Sequence, residues 1–231
     1  LELGGKSPQL FFEDANLESA LPFLVNAGIQ NGGQTCSASS RILVHRSRYN
    51  EVVDHMSQKY KDLIVRPAIN DGALGPLISE RQKSIVEDFI SKGQKLNLVA
   101  QGEIDSSAPT KGHYVAPHLF ADVPEDHILA KDEIFGPVQV IMPFDTEEEA
   151  VSIANGTDYG LVASIWTNDG ARQMRLAKKL KSGQVFINNY GAGGGVELPF
   201  GGRGFSGHGR EKGFEALYGF STLKTVASYH Q

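Results

Sequence analysis

The feature that most constrains the fold is the alternation of short β-like runs with longer amphipathic segments along the 231-residue chain. Apolar residues at helical spacing predict helices in "SRYNEVVDHMSQKYKDLI" and "SERQKSIVEDFISKG". The second of these begins with a capping pair, Ser79 and Gln82, and ends at Gly93. Strands are predicted for "RILVH", "PVQVIMPF", "LVASIWT" and "GQVFINN". Because such alternation is typical of parallel βα units, we predict an α/β fold, a three-layer αβα domain with a mostly parallel sheet.

Composition and charge narrow the function classes. The net charge of -5 and the isoelectric point of about 5.8 argue against nucleic acid or an anionic membrane as a partner. No apolar run reaches the roughly 20 residues that span a bilayer, and no signal peptide opens the chain. A single cysteine excludes an internal disulfide and favours a cytoplasmic location. The chain begins with Leu1 rather than Met, so we expect a fragment or a processed product.

Cys36, the only cysteine, lies in "QNGGQTCSASSRILVH" between a predicted helix and a predicted strand. Glycines let backbone N–H groups approach closely, and small neighbours leave room for a substrate beside the sulfur. A thiol near free N–H groups has a lowered pKa and forms thiolate more readily, so Cys36 is a candidate nucleophile. The alternative is a buried, inert cysteine that serves packing alone.

Two carboxylates are further candidates. Glu2 lies between two leucines in "LELGGKSP", where apolar surroundings would raise its pKa and suit it to general base work. A solvated residue on a frayed terminus is the alternative. In "AKDEIFGPVQV", Glu133 and Phe135 are spaced so that both can face one way, to bind hydroxyls and stack on a ring. The alternative is an ordinary entry into a strand.

Several other sequence patterns are not assigned a function. The run from Gly202 to Gly207, "GRGFSG", matches a dinucleotide-binding fingerprint but has no preceding strand. The sequon at Asn155 has no secretory context. With one cysteine and scattered histidines, the sequence offers no metal site.

Five motifs in register carry a family resemblance: "LELGGKSP", "GGQTCSASSRILV", "DEIFGPV", "ANGTDYGL" and "ELPFGGRGFSGHGREKG". Together they resemble the aldehyde dehydrogenase superfamily. The resemblance covers essentially the whole chain, yet only the C-terminal half of such an enzyme. It implies a catalytic domain over residues 1–220 and a C-terminal strand over residues 221–231 that joins a partner subunit. The N-terminal nucleotide-binding domain is expected to be absent from this chain.

The resemblance also implies roles for single residues. Cys36 matches the nucleophile that forms a thiohemiacetal and then a thioester, and Glu2 matches the base that activates water to hydrolyse that thioester. Glu133 matches the residue that holds the nicotinamide ribose, and Phe135 matches the aromatic beside the nicotinamide. The backbone N–H of Cys36 would supply one oxyanion donor. The residues expected to line the substrate pocket are Thr35, Ser37, Tyr190 and Phe200, with an open entrance at residues 191–195.

The resulting prediction is an NAD- or NADP-dependent aldehyde dehydrogenase that acts on a small-molecule aldehyde and assembles as a homodimer or homotetramer. Glu2 argues against the branch that transfers the acyl group to coenzyme A. Arg203 and Phe205 depart from the common family pattern and leave the substrate unassigned. Two alternatives stay open: a cofactor-independent thiol hydrolase or esterase using Cys36 and Glu2, and a folded but inactive fragment that acts only in assembly.

Overall fold

The computed structural model describes residues 1–191 and 195–230 and builds them around a seven-stranded sheet. The strands are β1 (Pro8–Phe11), β2 (Arg41–His45), β3 (Ile64–Val65), β4 (Asn97–Gln101), β5 (Glu103–Ile104), β6 (His118–Ala121), β7 (Val138–Phe144), β8 (Val162–Trp166) and β9 (Gln184–Ile187). Their order in the main sheet is β4-β6-β7-β2-β1-β8-β9, and β3 pairs with β5 in a small separate sheet. Within these ranges every pairing of the main sheet is parallel apart from β4 with β6, which confirms the predicted sheet.

Helices connect the strands. They are α1 (Leu17–Ile29), α2 (Tyr49–Lys61), α3 (Glu80–Lys92), α4 (Ile128–Lys131), α5 (Glu147–Asn155), α6 (Gly170–Lys179) and α7 (Glu215–Gly219). Five of these seven begin at a side-chain cap, the exceptions being α2 and α7. The Ser79 hydroxyl accepts the N–H of Gln82 at 3.2 Å, and Gly93 closes α3, as its capping pattern predicts. The start of this helix is therefore marked by a local hydrogen bond that the sequence itself provides.

The core lies on both faces of the sheet. On β1, Leu10 belongs to the apolar cluster that contains residues of α3, α4, α5 and α6, whereas Phe11 belongs to the cluster of α1 and α2. Successive side chains of a strand point to opposite faces, so one short strand contributes to both clusters. Helices on each side of the sheet make the predicted three layers.

β1 is central in the sheet, yet the sequence pattern did not predict it. Its four residues, "PQLF", are all buried and show no alternation of polar and apolar side chains. A short run buried on both faces lacks the period that identifies a strand. Its position between β2 and β8 is decided by the sheet around it.

The C-terminal region departs from the sequence-based expectation. The sequence "REKGFEALYGF" predicts a helix after the Gly-rich loop. Only α7 forms there, since Glu211 pairs with Phe200 in a short bridge and Gly213 adopts a φ of 60°. Residues 221–230 form neither helix nor strand in this single chain, and Leu223 is fully exposed. A strand needs a neighbour to pair with, so the C-terminal strand stays a prediction. No helix in the described ranges is long and apolar enough to cross a membrane.

Candidate active site

The candidate residues come from segments that precede three adjacent strands. Glu2 comes before β1, Cys36 before β2 and Glu133 before β7, and these strands lie side by side in the order β7-β2-β1. Because the strands are parallel, their amino ends meet at one edge of the sheet. The site therefore lies at the amino ends of these strands. Open α/β sheets usually bind ligands at the other side, beyond the carboxyl ends of the strands.

The Cys36 segment follows a tight turn that its sequence makes possible. Asn31, Gly32 and Gly33 have φ values of 53°, 65° and 73°, in the left-handed region that glycine tolerates best. A Cβ atom on Gly33 would lie 2.1 Å from the carbonyl oxygen of Gly136, so only glycine permits this approach. The turn before the cysteine is thereby packed against the segment that follows Phe135.

The glycine pair after Glu2 brings the three segments together. A Cβ atom on Gly5 would lie 2.1 Å from the carbonyl oxygen of Cys36, and the N–H of Gly5 donates to Glu133 Oε1 at 2.8 Å. A Cβ atom on Gly4 would lie 2.3 Å from Glu133 Oε2. Gly5 is thus required by its contact with the backbone of the cysteine segment, and Gly4 leaves room for the carboxylate of Glu133.

The electrostatic surroundings of Cys36 contradict the lowered pKa expected from the sequence. The side chain is half-buried, and burial raises its pKa, as do the negative charges of Glu2 and Glu133. The backbone N–H groups of Ser37 and Cys36 act in the opposite direction, but they do not outweigh burial and two carboxylates. In this chain the raised pKa therefore favours the thiol form of Cys36 near neutral pH.

Glu2 is held by the backbone around it rather than on a frayed end. Its residue bridges to Gly207, the N–H of Leu3 donates to the carbonyl of Ser206 at 3.3 Å, and the N–H of His208 donates to the carbonyl of Leu1 at 3.2 Å. Glu2 is itself exposed, as are Leu1 and Leu3, so the apolar surroundings expected from the sequence do not form. Partial burial of the carboxyl and the charge of Glu211 still raise the pKa of Glu2. The "GRGFSG" loop thus supports Glu2, a role that the sequence did not indicate.

Glu133 and Phe135 lie on one strained segment. Phe135 has a φ of 54°, and Gln82 Nε2 donates to its carbonyl at 2.9 Å, so α3 stabilises this conformation. The carboxyl of Glu133 is half-buried, and burial raises its pKa while the Gly5 N–H and the charge of Lys6 lower it. The Phe135 ring is 36% exposed. The segment thus presents a half-buried carboxylate and a partly exposed aromatic side chain next to the Gly5 N–H.

Of the four predicted pocket residues, two pack in an apolar cluster with Cys36 and two lie in the turn that contains Cys36. Tyr190 and Phe200 pack with Cys36 in one apolar cluster, and the Tyr190 hydroxyl donates to the carbonyl of Ser37. Ser37 itself is buried, and the carbonyl of Thr35 accepts the N–H of Ala38 within the turn. Of the predicted entrance at residues 191–195, residues 192–194 lie outside the described residues.

Some residues of the site carried no sequence signal as single positions. Gln82 was predicted only as a helix cap, and Lys6, Arg41 and Glu211 were not singled out. Their contacts join segments that are far apart in the chain, so sequence spacing could not reveal them. Within residues 1–191 and 195–230, no group of three or more His, Cys, Asp or Glu side chains is placed to hold a metal ion.

Comparisons with known proteins identify the family and the fold of the chain. The profile of the aldehyde dehydrogenase family matches residues 1–226. The chain is 37% identical over 229 residues to betaine aldehyde dehydrogenase of Sinorhizobium fredii, which covers 98% of this chain and 47% of that protein. The NAD+ complex of an aldehyde dehydrogenase from Bacillus cereus is 41% identical with a TM-score of 0.92, over 98% of this chain and 46% of that one. The crystal structure of a Burkholderia cenocepacia protein is 59% identical in sequence with a TM-score of 0.96, and the match covers 98% of this chain and 48% of that one. The chain thus spans about half the length of the relatives it matches.

Proposed function

Because this chain belongs to the aldehyde dehydrogenase family, we propose that it is the catalytic half of an NAD- or NADP-dependent enzyme that oxidises an aldehyde to a carboxylic acid. The observation that carries the proposal is the convergence of Cys36, Glu2 and Glu133 at one sheet edge. Three segments that are distant in the sequence meet there through close contacts at Gly4 and Gly5. A cysteine that served packing alone would not need two carboxylates whose charges act on its sulfur.

The first step is attack of Cys36 Sγ on the aldehyde carbon. The thiol proton leaves sulfur, the S–C bond forms, and the carbonyl oxygen takes up a proton as a thiohemiacetal. Glu2 is suited to accept and return that proton, because its raised pKa brings it closer to neutral pH. The backbone N–H of Cys36 is the proposed donor to the oxygen while negative charge develops there.

Glu133 and Phe135 would hold the cofactor. The ionised carboxylate of Glu133 would accept hydrogen bonds from ribose hydroxyls, and the exposed ring of Phe135 would lie against the nicotinamide. When bound, NAD+ or NADP+ would supply the acceptor for the hydride of the substrate carbon. As that hydride leaves, the thiohemiacetal hydroxyl gives up its proton, and a thioester to Cys36 remains. Gln82, through the Phe135 carbonyl, keeps this segment in its positive-φ conformation.

The second half of the reaction returns Cys36 to the thiol. Glu2 takes a proton from water, the resulting hydroxide attacks the thioester carbon, and the C–S bond breaks to release the carboxylic acid. Tyr190 and Phe200, which pack with Cys36, are proposed to border the acyl group.

The complete activity requires a nucleotide-binding half that these 231 residues do not provide. In the described residues, the "GRGFSG" run supports Glu2 and does not join a strand to a helix. We therefore propose that this chain by itself does not turn over aldehydes and that the choice between NAD and NADP lies outside it. A small aldehyde is the proposed substrate, a homodimer or homotetramer the proposed assembly and the cytoplasm the proposed location.

The test uses the complete gene product that contains this chain, with NAD+ and a panel of aldehydes. Cys36→Ser should abolish aldehyde-dependent cofactor reduction. Glu2→Gln should give a burst of about one reduced cofactor per site and then stop, because the thioester forms but is not hydrolysed. Glu103→Gln, at an exposed carboxylate on β5, is the matched control and should turn over normally. Full turnover by Cys36→Ser would refute the proposal.

The cofactor-independent hydrolase is the weaker candidate. A thiol hydrolase depends on a histidine to take the proton of its cysteine. The charges that act most on Cys36 are those of Glu2 and Glu133, and no histidine is among them. Ester hydrolysis that persists in the absence of NAD+ and disappears in Cys36→Ser would favour this alternative.

A further inference from the structure

Lys6 is a buried charge that the proposed chemistry leaves without a use. It follows the glycine pair directly, and its side chain is 2% exposed. Its Nζ atom has no hydrogen-bond partner anywhere in residues 1–191 and 195–230. Lysine is almost never fully buried without a partner, because desolvation of an ammonium costs several kcal/mol or more. A residue kept in this state calls for an explanation.

The surroundings of Lys6 are rigid and exclude bulk solvent. The neighbouring Arg41 is buried, and its guanidinium donates to the carbonyls of Lys6 at 2.9 Å, Ile153 at 2.8 Å and Ala154 at 2.8 Å. The cavity beside these residues has a volume of about 10 Å³, which is near the minimum for one water molecule. The ammonium therefore depends on protein charges rather than on hydration.

The titratable groups that face Lys6 come from three segments. Arg41 on β2 disfavours the ammonium, whereas Glu133 and Asp132, from the segment after α4, favour it. Burial and Arg41 prevail and lower the pKa of Lys6 to about 7. Tyr159, after α5, borders the same cavity, and burial and the charge of Glu133 raise the pKa of its hydroxyl, so Tyr159 stays neutral.

The influence between Lys6 and Glu133 is mutual. Burial raises the pKa of the Glu133 carboxyl, and the positive charge of Lys6 is one of two effects that lower it. The other is the hydrogen bond from the Gly5 N–H, the residue next to Lys6. Two adjacent residues of one segment thus hold the same carboxylate, one by a hydrogen bond and one by charge.

We propose that Lys6 is a positioning residue that keeps Glu133 ionised for the ribose hydroxyls of the nicotinamide cofactor. This inference rests on the proposed function. An ionised carboxylate accepts hydrogen bonds from both ribose hydroxyls, whereas a protonated one must donate at one oxygen. Below neutral pH the ammonium of Lys6 opposes protonation of Glu133. Well above neutral pH Lys6 is neutral and Glu133 is ionised without it.

The test is a measurement of NAD+ binding by calorimetry at pH 6 and pH 9 in the complete gene product. Lys6→Met keeps an unbranched side chain and removes the charge. We expect it to weaken NAD+ binding at least about threefold at pH 6 and to leave binding unchanged at pH 9. Lys61→Met, at an exposed lysine on α2, is the matched control and should bind NAD+ normally at both values.

A second pair of variants separates this inference from the proposed function. In a Glu133→Gln background, Lys6→Met should have no further effect, because the charge it acts on is gone. Two results would overturn the inference on Lys6 and leave the cofactor role of Glu133 intact. In both, Glu133→Gln weakens NAD+ binding, and Lys6→Met either has no effect or weakens binding equally at both pH values. If Glu133→Gln binds NAD+ normally, the cofactor role of Glu133 fails as well. Should both Lys6→Met and Lys6→Gln fail to fold, the role is structural and the inference is overturned.

Discussion

The contact between Gly5 and Cys36 predicts a specific effect of the substitution Gly5→Ala. The added Cβ atom would lie 2.1 Å from the carbonyl oxygen of Cys36 and 3.3 Å from its carbonyl carbon. Both are backbone atoms, so no side chain can rotate away, and one segment must shift by roughly 1 Å. The strain of such a shift is about 1–3 kcal/mol, which for a domain of this size lowers the melting temperature by about 2–12 °C.

The same shift should reduce catalysis more than it reduces stability. Displacement of a reacting group by about 1 Å costs on the order of 10²-fold in rate. We expect Gly5→Ala to lower kcat in the complete gene product by that order while the protein still folds at 25 °C. The assays are a thermal melt followed by circular dichroism and steady-state aldehyde oxidation on the same preparation.

Gly170→Ala is the matched control for this prediction. Gly170 is the first residue of α6, and an added Cβ atom there meets no other atom within 4 Å. Alanine should stabilise the helix by about 0.5 kcal/mol, because it restricts the unfolded chain. Kinetics should be unchanged. The reasoning is refuted if Gly5→Ala matches the wild type in both melting temperature and kcat.

Three further predictions concern the thiol, the tail and the chain by itself. The raised pKa of Cys36 predicts that iodoacetamide alkylates Cys36 more slowly than it alkylates a free thiol at pH 7. Glu2→Gln should accelerate the alkylation at pH 8, because removal of a negative charge favours the thiolate. The control Glu103→Gln should leave the alkylation rate unchanged. Deletion of residues 221–231 from the complete gene product should shift the assembly towards monomer in sedimentation, and an unchanged profile would contradict a role in association. The 231-residue chain should show no aldehyde-dependent increase in absorbance from reduced cofactor, and steady reduction would mean that it holds a cofactor site of its own.

Local signals in the sequence were sufficient for α2 and α3 and for β2, β7, β8 and β9, whereas α4 was not predicted and the C-terminal helix was predicted too long. Ser79 and Gly93 mark the ends of α3, and Thr146 caps α5 by accepting the N–H of Glu149 at 3.2 Å. Caps and apolar periodicity act over a few residues, so they can be identified without the fold. The family resemblance in the five motifs was likewise a property of the sequence, and the family match confirms it.

The tertiary structure alone decided how those pieces make a site. β1 has no period of its own and becomes a strand because β2 and β8 pair with it. The pKa of Cys36 is raised rather than lowered, because the fold half-buries the sulfur and places the charges of Glu2 and Glu133 where they act on it. Charge and burial act through space, and nothing in the spacing of residues along the chain reports them.

The glycine pair shows where the two kinds of information meet. The sequence contains "LELGG" and so permits a close approach of backbones after Glu2, but it does not say what approaches. The fold brings the Cys36 carbonyl to Gly5 and the Glu133 carboxylate to Gly4. The sequence determined which residues could carry the chemistry, and parallel pairing of β7, β2 and β1 decided that their leading segments share one edge of the sheet.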